Sequence, residues 1–157
     1  ADQVNHGGAD AVQLFDTWAG LLSVEDYQRI ALPATKRAVE VFREQANHRV
    51  PLIHYAKGSG HLHHVIRTLD IDAVSLDWRD DLRANRTAFG DRFAFQGNLD
   101  PSRMHGSPEA ATLAAQRVLD EAGDAPGHVF NLGHGFAPGA QIDCVEAVLR
   151  LITGESA

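Results

Sequence analysis

Five short apolar runs divide the chain, and each is followed by a polar or Gly-rich break and then by apolar positions at helical spacing. Residues 1–10 carry Gly7-Gly8 near their end and resemble the close of a helix followed by its glycine stop. Residues 12–15 suit a buried strand that ends in Asp16-Thr17-Trp18. A helix is expected from Ser23, whose hydroxyl can cap it while Glu25 and Asp26 sit at the positive end of its dipole. Its apolar face continues through Ile30, Ala34, Ala38, Val41 and Phe42, with Pro33 a point at which it splits. Residues 51–56 form the second expected strand, stopped by Lys57-Gly58-Ser59-Gly60, and a helix bearing His61, Val65, Ile66 and Leu69 follows. Residues 73–76 form the third, ending at Asp77-Trp78, with a short helix near residues 80–88. Residues 93–97 form the fourth, closed by Asn98-Leu99-Asp100-Pro101. Ser107-Pro108-Glu109 opens the clearest helix, because a hydroxyl cap with proline at the first position is already shaped for helix entry. Residues 129–132 form the fifth strand, and residues 144–152 a last helix with an apolar face at Val145, Val148, Leu149 and Ile152.

Five strand and helix alternations are the mark of a parallel sheet covered by helices, an α/β fold. A doubly wound nucleotide-binding sheet should show a GxGxxG turn after its first strand, and none is present. A (β/α)8 barrel gathers its functional side chains at the C-terminal ends of its strands, which is where Thr17, Lys57, Asp77, Asn98 and His134 fall. A complete barrel typically needs roughly 250 residues. Five units are therefore expected to form part of a barrel, an open sheet with two unpaired edges.

The 157 residues fit one domain, residues 1–157, with a sizeable core, since 44% are hydrophobic and 22% charged. A formal net charge of -7 argues against a nucleic-acid surface, because the 14 Lys and Arg form no basic stripe. Cys144 is the only cysteine, which excludes an intrachain disulfide and a multi-cysteine zinc site and makes a reducing cytoplasm the expected compartment. No run reaches the length of a membrane span, and the first residues have neither the basic nor the apolar region of a signal peptide.

Taken in order, Gly8-Ala9-Asp10-Ala11-Val12-Gln13-Leu14-Phe15-Asp16-Thr17-Trp18-Ala19-Gly20, Tyr55-Ala56-Lys57-Gly58, Val74-Ser75-Leu76-Asp77-Trp78, Gln96-Gly97-Asn98-Leu99-Asp100-Pro101 and His128-Val129-Phe130-Asn131-Leu132-Gly133-His134-Gly135 resemble the successive strand ends of the uroporphyrinogen decarboxylase family. The resemblance implies a partial (β/α)8 TIM barrel of about five units, matching the family's strands four to eight. The family's first three strands, with their arginine-rich segment, central aspartate and substrate-contacting tyrosine, are expected to lie outside this chain. It further implies a cyclic tetrapyrrole substrate with eight carboxylates, uroporphyrinogen, four of whose acetate arms are decarboxylated in porphyrin and haem biosynthesis without metal or organic cofactor. Without the central carboxylate that receives the pyrrole N–H groups, the chain alone is expected to be inactive or nearly so. Homodimers are common in the family. A homodimer, or association with the missing N-terminal half, is therefore the expected partnership.

Two substrate contacts carry over by resemblance, and no catalytic residue is assigned. Thr17 matches the family's hydroxyl that hydrogen-bonds a substrate carboxylate, and a neutral donor suits that task. His134 matches the histidine of its Asn-Leu-Gly-His-Gly motif, and an imidazole can donate to an acidic group near neutral pH. Taken alone, Thr17 reads as a helix-entry hydroxyl and His134 as one of nine structural or exposed histidines; the surrounding motifs reverse both readings. Asp77-Trp78 reads equally well as a cap for the next helix with the indole under a loop. Gly97 and Pro101 read as backbone geometry. His54 and His61-Leu62-His63-His64 invite a metal reading, but His61 and His64 share only an i,i+3 face, and no cysteine or second acidic ligand is fixed nearby, so no metal is assigned. Related corrinoid-dependent methyltransferases carry a His-x-Cys zinc pair at the equivalent strand end. Here His54-Tyr55-Ala56 places alanine at the cysteine position, which disfavours a zinc and corrinoid chemistry. A non-catalytic half-barrel that self-associates through its open edges is the other alternative.

Overall fold

The computed structural model describes residues 1–124 and 126–154. In chain order they form α1 (Asp2–Asn5), β1 (Val12–Asp16), α2 (Val24–Asp26), a π-helical turn (Tyr27–Ala31), α3 (Leu32–Gln45), β2 (Leu52–Ala56), α4 (His63–Ile66), β3 (Ala73–Ser75), α5 (Leu82–Phe89), β4 (Ala94–Gln96), α6 (Pro108–Ala122), β5 (His128–Val129) and α7 (Ile142–Thr153). The strands make one five-stranded parallel sheet in the order β1-β2-β3-β4-β5, so the α/β partial-barrel expectation holds. The chain divides into two compact units, one holding Ala1–Ser75 and Arg92–Ala94, the other Leu76–Asp91 and the residues from Phe95 onward.

In the first unit, β1 pairs with β2 from Val12 opposite Leu52 to Asp16 opposite Ala56, and β2 with β3 from Ile53 opposite Ala73. Leu52, His54 and Ala56 alternate onto one buried face, as strand geometry requires. The expectation of a buried first strand is corrected. Phe15 is 66% exposed and no β1 residue is fully buried, because β1 is an edge strand whose outward face has no cover. Ser23 caps α2 as expected, accepting from the Asp26 N–H at 3.1 Å. The split near Pro33 takes the form of the π turn ahead of α3, in which proline occupies an early helical position where its missing N–H costs least.

A charge network ties this unit together at the start of β3. Arg43 on α3 donates to the Val50 carbonyl at 2.8 Å, the Asp70 carbonyl at 3.1 Å and Asp72 at 2.5 Å. Asp72 also accepts from Arg49 and from the Leu52 N–H, both at 2.8 Å. Burial pushes the Asp72 carboxyl up, but the hydrogen bonds from Arg43, Leu52 and Arg49 outweigh it and hold it below its ordinary value. Arg92 adds donors to the Ile71 and Leu69 carbonyls at 3.3 Å.

In the second unit β4 pairs with β5 from Phe95 opposite His128, and a single further bridge joins Leu99 to Leu132. The fifth strand is thus shorter than expected, regular pairing giving way beyond Val129. Ser107 caps α6, accepting from the Ala110 N–H at 3.3 Å, with Pro108 at the first position as the sequence indicates. α7 begins at Ile142, two residues before the expected start. A 3-10 segment, Pro101–His105, precedes α6 and buries Pro101 and Met104. Between β5 and α7 lies an apolar groove of about 280 Å³ lined by residues including Phe130, Leu132, Phe136, Val145, Leu149 and Ile152.

Candidate functional site

Thr17 occupies the turn immediately after β1 and is half-buried. Two neighbours shape that turn. Asp16 accepts backbone hydrogen bonds from Ala19 and Trp18, which pull its carboxyl down, but burial is the larger influence and leaves it raised. Gly20 donates to the Lys57 carbonyl at 3.2 Å and lies so close to the Lys57 and Gly58 backbone that no β-carbon would fit. The loops after β1 and β2 are therefore held together by main chain. Tyr27 is fully buried, its phenol pushed up to about 12 by burial and by the Asp16 carboxylate.

His134 follows β5 and the Leu132 bridge and is also half-buried. Its support comes from the loop after β3. Gly133 donates to the Leu99 carbonyl at 2.7 Å, and its α-carbon rests against the backbone of Asp77 and Trp78 with no space for a side chain. The imidazole of His134 stacks with the Trp78 indole, centroids 6.4 Å apart and planes 26° apart. Arg79 places its guanidinium 4.9 Å from the Trp78 ring centre. Asp77 is fully buried, and its carboxylate accepts from the Arg79 N–H at 2.8 Å and from the guanidinium at 3.2 Å and 2.5 Å. Asn98, after β4, donates to the Asp77 and Asp80 carbonyls at 2.9 Å and 2.7 Å.

These contacts decide several sequence readings. Asp77 does not cap α5; Asp81 does, accepting from the Ala84 N–H at 2.7 Å. The Trp78 indole packs on His134 rather than merely underneath a loop. Gly97 has φ of +119° and faces the Leu76 carbonyl where a β-carbon would stand, so its role is backbone geometry, as read. His128 sets its Nε2 2.6 Å from the Gly97 carbonyl, and burial pushes its imidazole down. Thr17 belongs to the first unit and His134 to the second. Sequence reasoning missed Arg79 and Trp78 as companions of His134, because only the fold brings residues 78 and 134 together.

The clustered histidines differ in their surroundings. His61 sets Nε2 2.8 Å from the Leu22 carbonyl, His63 is buried and His64 exposed. His54 is fully buried, and burial, with the neighbouring His63, pushes it down to about 4. Among the described residues no three His, Cys, Asp or Glu are grouped closely enough to hold a metal ion.

The family model described as Uroporphyrinogen decarboxylase (URO-D) matches residues 1–154. The chain belongs to this family. A uroporphyrinogen decarboxylase from Magnetococcus marinus is 40% identical over 155 residues, covering 98% of this chain and 43% of its own length. One from Aromatoleum aromaticum is 45% identical over 146 residues, covering 92% of this chain and 40% of its own length. The chain thus spans less than half the length of these uroporphyrinogen decarboxylase relatives. Among solved structures, a methyltransferase from Methanosarcina mazei superposes with a TM-score of 0.75 at 18% identity, covering 96% of this chain and 43% of that one, a likeness of fold. No helix among the described residues is long and apolar enough to cross a membrane.

Proposed function

We propose that this chain is the C-terminal part of the barrel domain of a uroporphyrinogen decarboxylase and supplies two of its contacts to substrate carboxylates, Thr17 and His134. The observation that carries this reading is the family match over residues 1–154. The chemistry is consistent with it. Thr17 follows β1 directly and His134 comes five residues after β5, both beyond the C-terminal ends of parallel strands, where barrel enzymes place their functional groups. Thr17 offers a neutral donor and His134 an imidazole, both suited to an anion. The reading entails a cytoplasmic enzyme of porphyrin and haem biosynthesis, acting on uroporphyrinogen without metal or cofactor. The residues that receive the pyrrole N–H groups and grip the remaining carboxylates come from outside this chain, so the chain alone turns over little or no substrate.

Titration with uroporphyrin, the stable oxidised octacarboxylate, tests the two contacts. Thr17→Val and His134→Ala should each weaken binding about tenfold, near the value of one hydrogen bond to a charged group. Unchanged affinity in both variants would remove them from the site.

A second reading, a non-catalytic half-barrel that self-associates, is favoured by exposed apolar side chains. Phe15, Trp18 and Leu21 are 66%, 74% and 78% exposed in the first unit. Light scattering across a concentration series distinguishes it, since a monomer at all concentrations is incompatible with that reading.

A further inference from the structure

We propose that Trp78 and Arg79 are positioning residues for His134, fixing the plane of its imidazole for an incoming carboxylate. The inference rests on the reading of His134 as a substrate contact and adds how that contact is held. The support begins in the interior. Asp77 is fully buried immediately beyond β3, and a buried carboxylate is stable only when paired and hydrogen-bonded. Its pairing with Arg79 satisfies that requirement within two residues of chain, which bends the loop back on itself. The guanidinium is thereby fixed at one end, while its side chain remains 53% exposed at the other.

From that anchor the geometry runs outward. Arg79 lies against the Trp78 π-system, which favours a cation within about 6 Å of the ring centre. The Trp78 indole in turn carries His134 in an offset stack, a centroid separation within the range of favourable aromatic pairs. The main chain closes the arrangement, because Gly133, one residue before His134, sits directly against the Asp77 and Trp78 backbone. A displacement of the loop after β3 therefore moves His134 from two directions. The stack restricts the orientations open to the His134 imidazole. Ordering it before the substrate arrives removes that entropy from the cost of binding.

The decisive experiment is a double-mutant cycle with uroporphyrin, combined with carbon-proton NMR of the His134 ring. Trp78→Ala should weaken binding about tenfold in the wild-type background and have no further effect when His134 is already alanine. Trp78→Phe, which keeps a stacking face and guards against a folding artefact, should retain most of the affinity. The His134 ring protons should lie upfield in the wild type, under the indole ring current, and move toward exposed values in Trp78→Ala. Additive effects in the cycle, or His134 ring signals that do not respond to loss of the indole, would overturn the proposal. If His134→Ala itself leaves affinity unchanged, the substrate-contact reading fails and the proposal fails with it. If His134→Ala weakens binding while Trp78→Ala does not, only the positioning role is lost.

Discussion

Two arginine–aspartate pairs bracket β3 along the chain, and they differ in what they hold. Asp72, just before the strand, joins Arg43 and Arg49 to the main chain at Val50, Leu52 and Asp70. Asp77, just after it, joins Arg79, which lies against Trp78 and through it supports His134. The first pair ties a side chain of α3 to backbone on the approaches to β2 and β3, so its work is on the fold. The second gathers its own loop and an aromatic stack, so its work is on the orientation of one imidazole. In barrel proteins the N-terminal ends of the strands serve stability and the C-terminal ends serve chemistry, and the two pairs divide along that line.

The largest expected effect is on the first pair. Asp72→Ala removes the nearer of the two carboxylates on Arg43, which is only 14% exposed, together with the acceptor of the Leu52 N–H, and should lower unfolding free energy by about 3 kcal/mol in urea titration. Acid should act through the same carboxylate. Its folded value is depressed, so its contribution is present above the ordinary carboxylate range and is lost as pH falls through the lower folded value.

His54 provides a titration of comparable size in the first unit. Its imidazole, ordinarily near 6.5, is pushed down to about 4, so between those values the unfolded chain binds more protons than the folded one. Stability should fall as pH drops from 6.5 toward 4, by on the order of 3 kcal/mol for the full shift. His54→Leu should flatten the urea midpoint over that window. An equally steep decline in the variant would assign the acid sensitivity elsewhere.

The second pair should respond in binding more than in stability. Asp77→Asn keeps the shape of the side chain and an acceptor for the Arg79 N–H, and the guanidinium that loses its charge partner is already half in water, so stability should change less than in Asp72→Asn. Uroporphyrin affinity should nevertheless fall severalfold, because Arg79 is no longer fixed. Equal losses for Asp77→Asn and Asp72→Asn in urea would make both pairs structural. Ser107→Ala sets the scale of an ordinary loss at about 1 kcal/mol, by removing the cap of α6 without touching either pair.

This division was only partly legible in the sequence. The strands and their parallel α/β arrangement could be read, because alternating runs are local patterns, whereas Thr17 and His134 stood out only through the family resemblance. The exposure of Phe15 could not, since an edge strand has the same composition as a central one and only its missing neighbour distinguishes it. The π turn before Pro33 was visible only as a break, proline marking where a helix yields but not how. Arg43 reaches partners 27 and 29 residues away, and Trp78 meets His134 across 56, separations at which spacing carries no signal. Asp77 was read as a possible cap for α5, but it pairs with Arg79 and Asp81 takes the capping place.

The most direct test is a decarboxylation assay. Uroporphyrinogen should be supplied to the chain alone and to the chain mixed with a polypeptide covering the part of the Magnetococcus marinus relative that this chain does not span. The chain alone should form little or no decarboxylated product, and the mixture should form it in a manner weakened by His134→Ala. Robust turnover by the chain alone, or a well-folded complex that binds uroporphyrinogen and releases no decarboxylated product, would contradict the account.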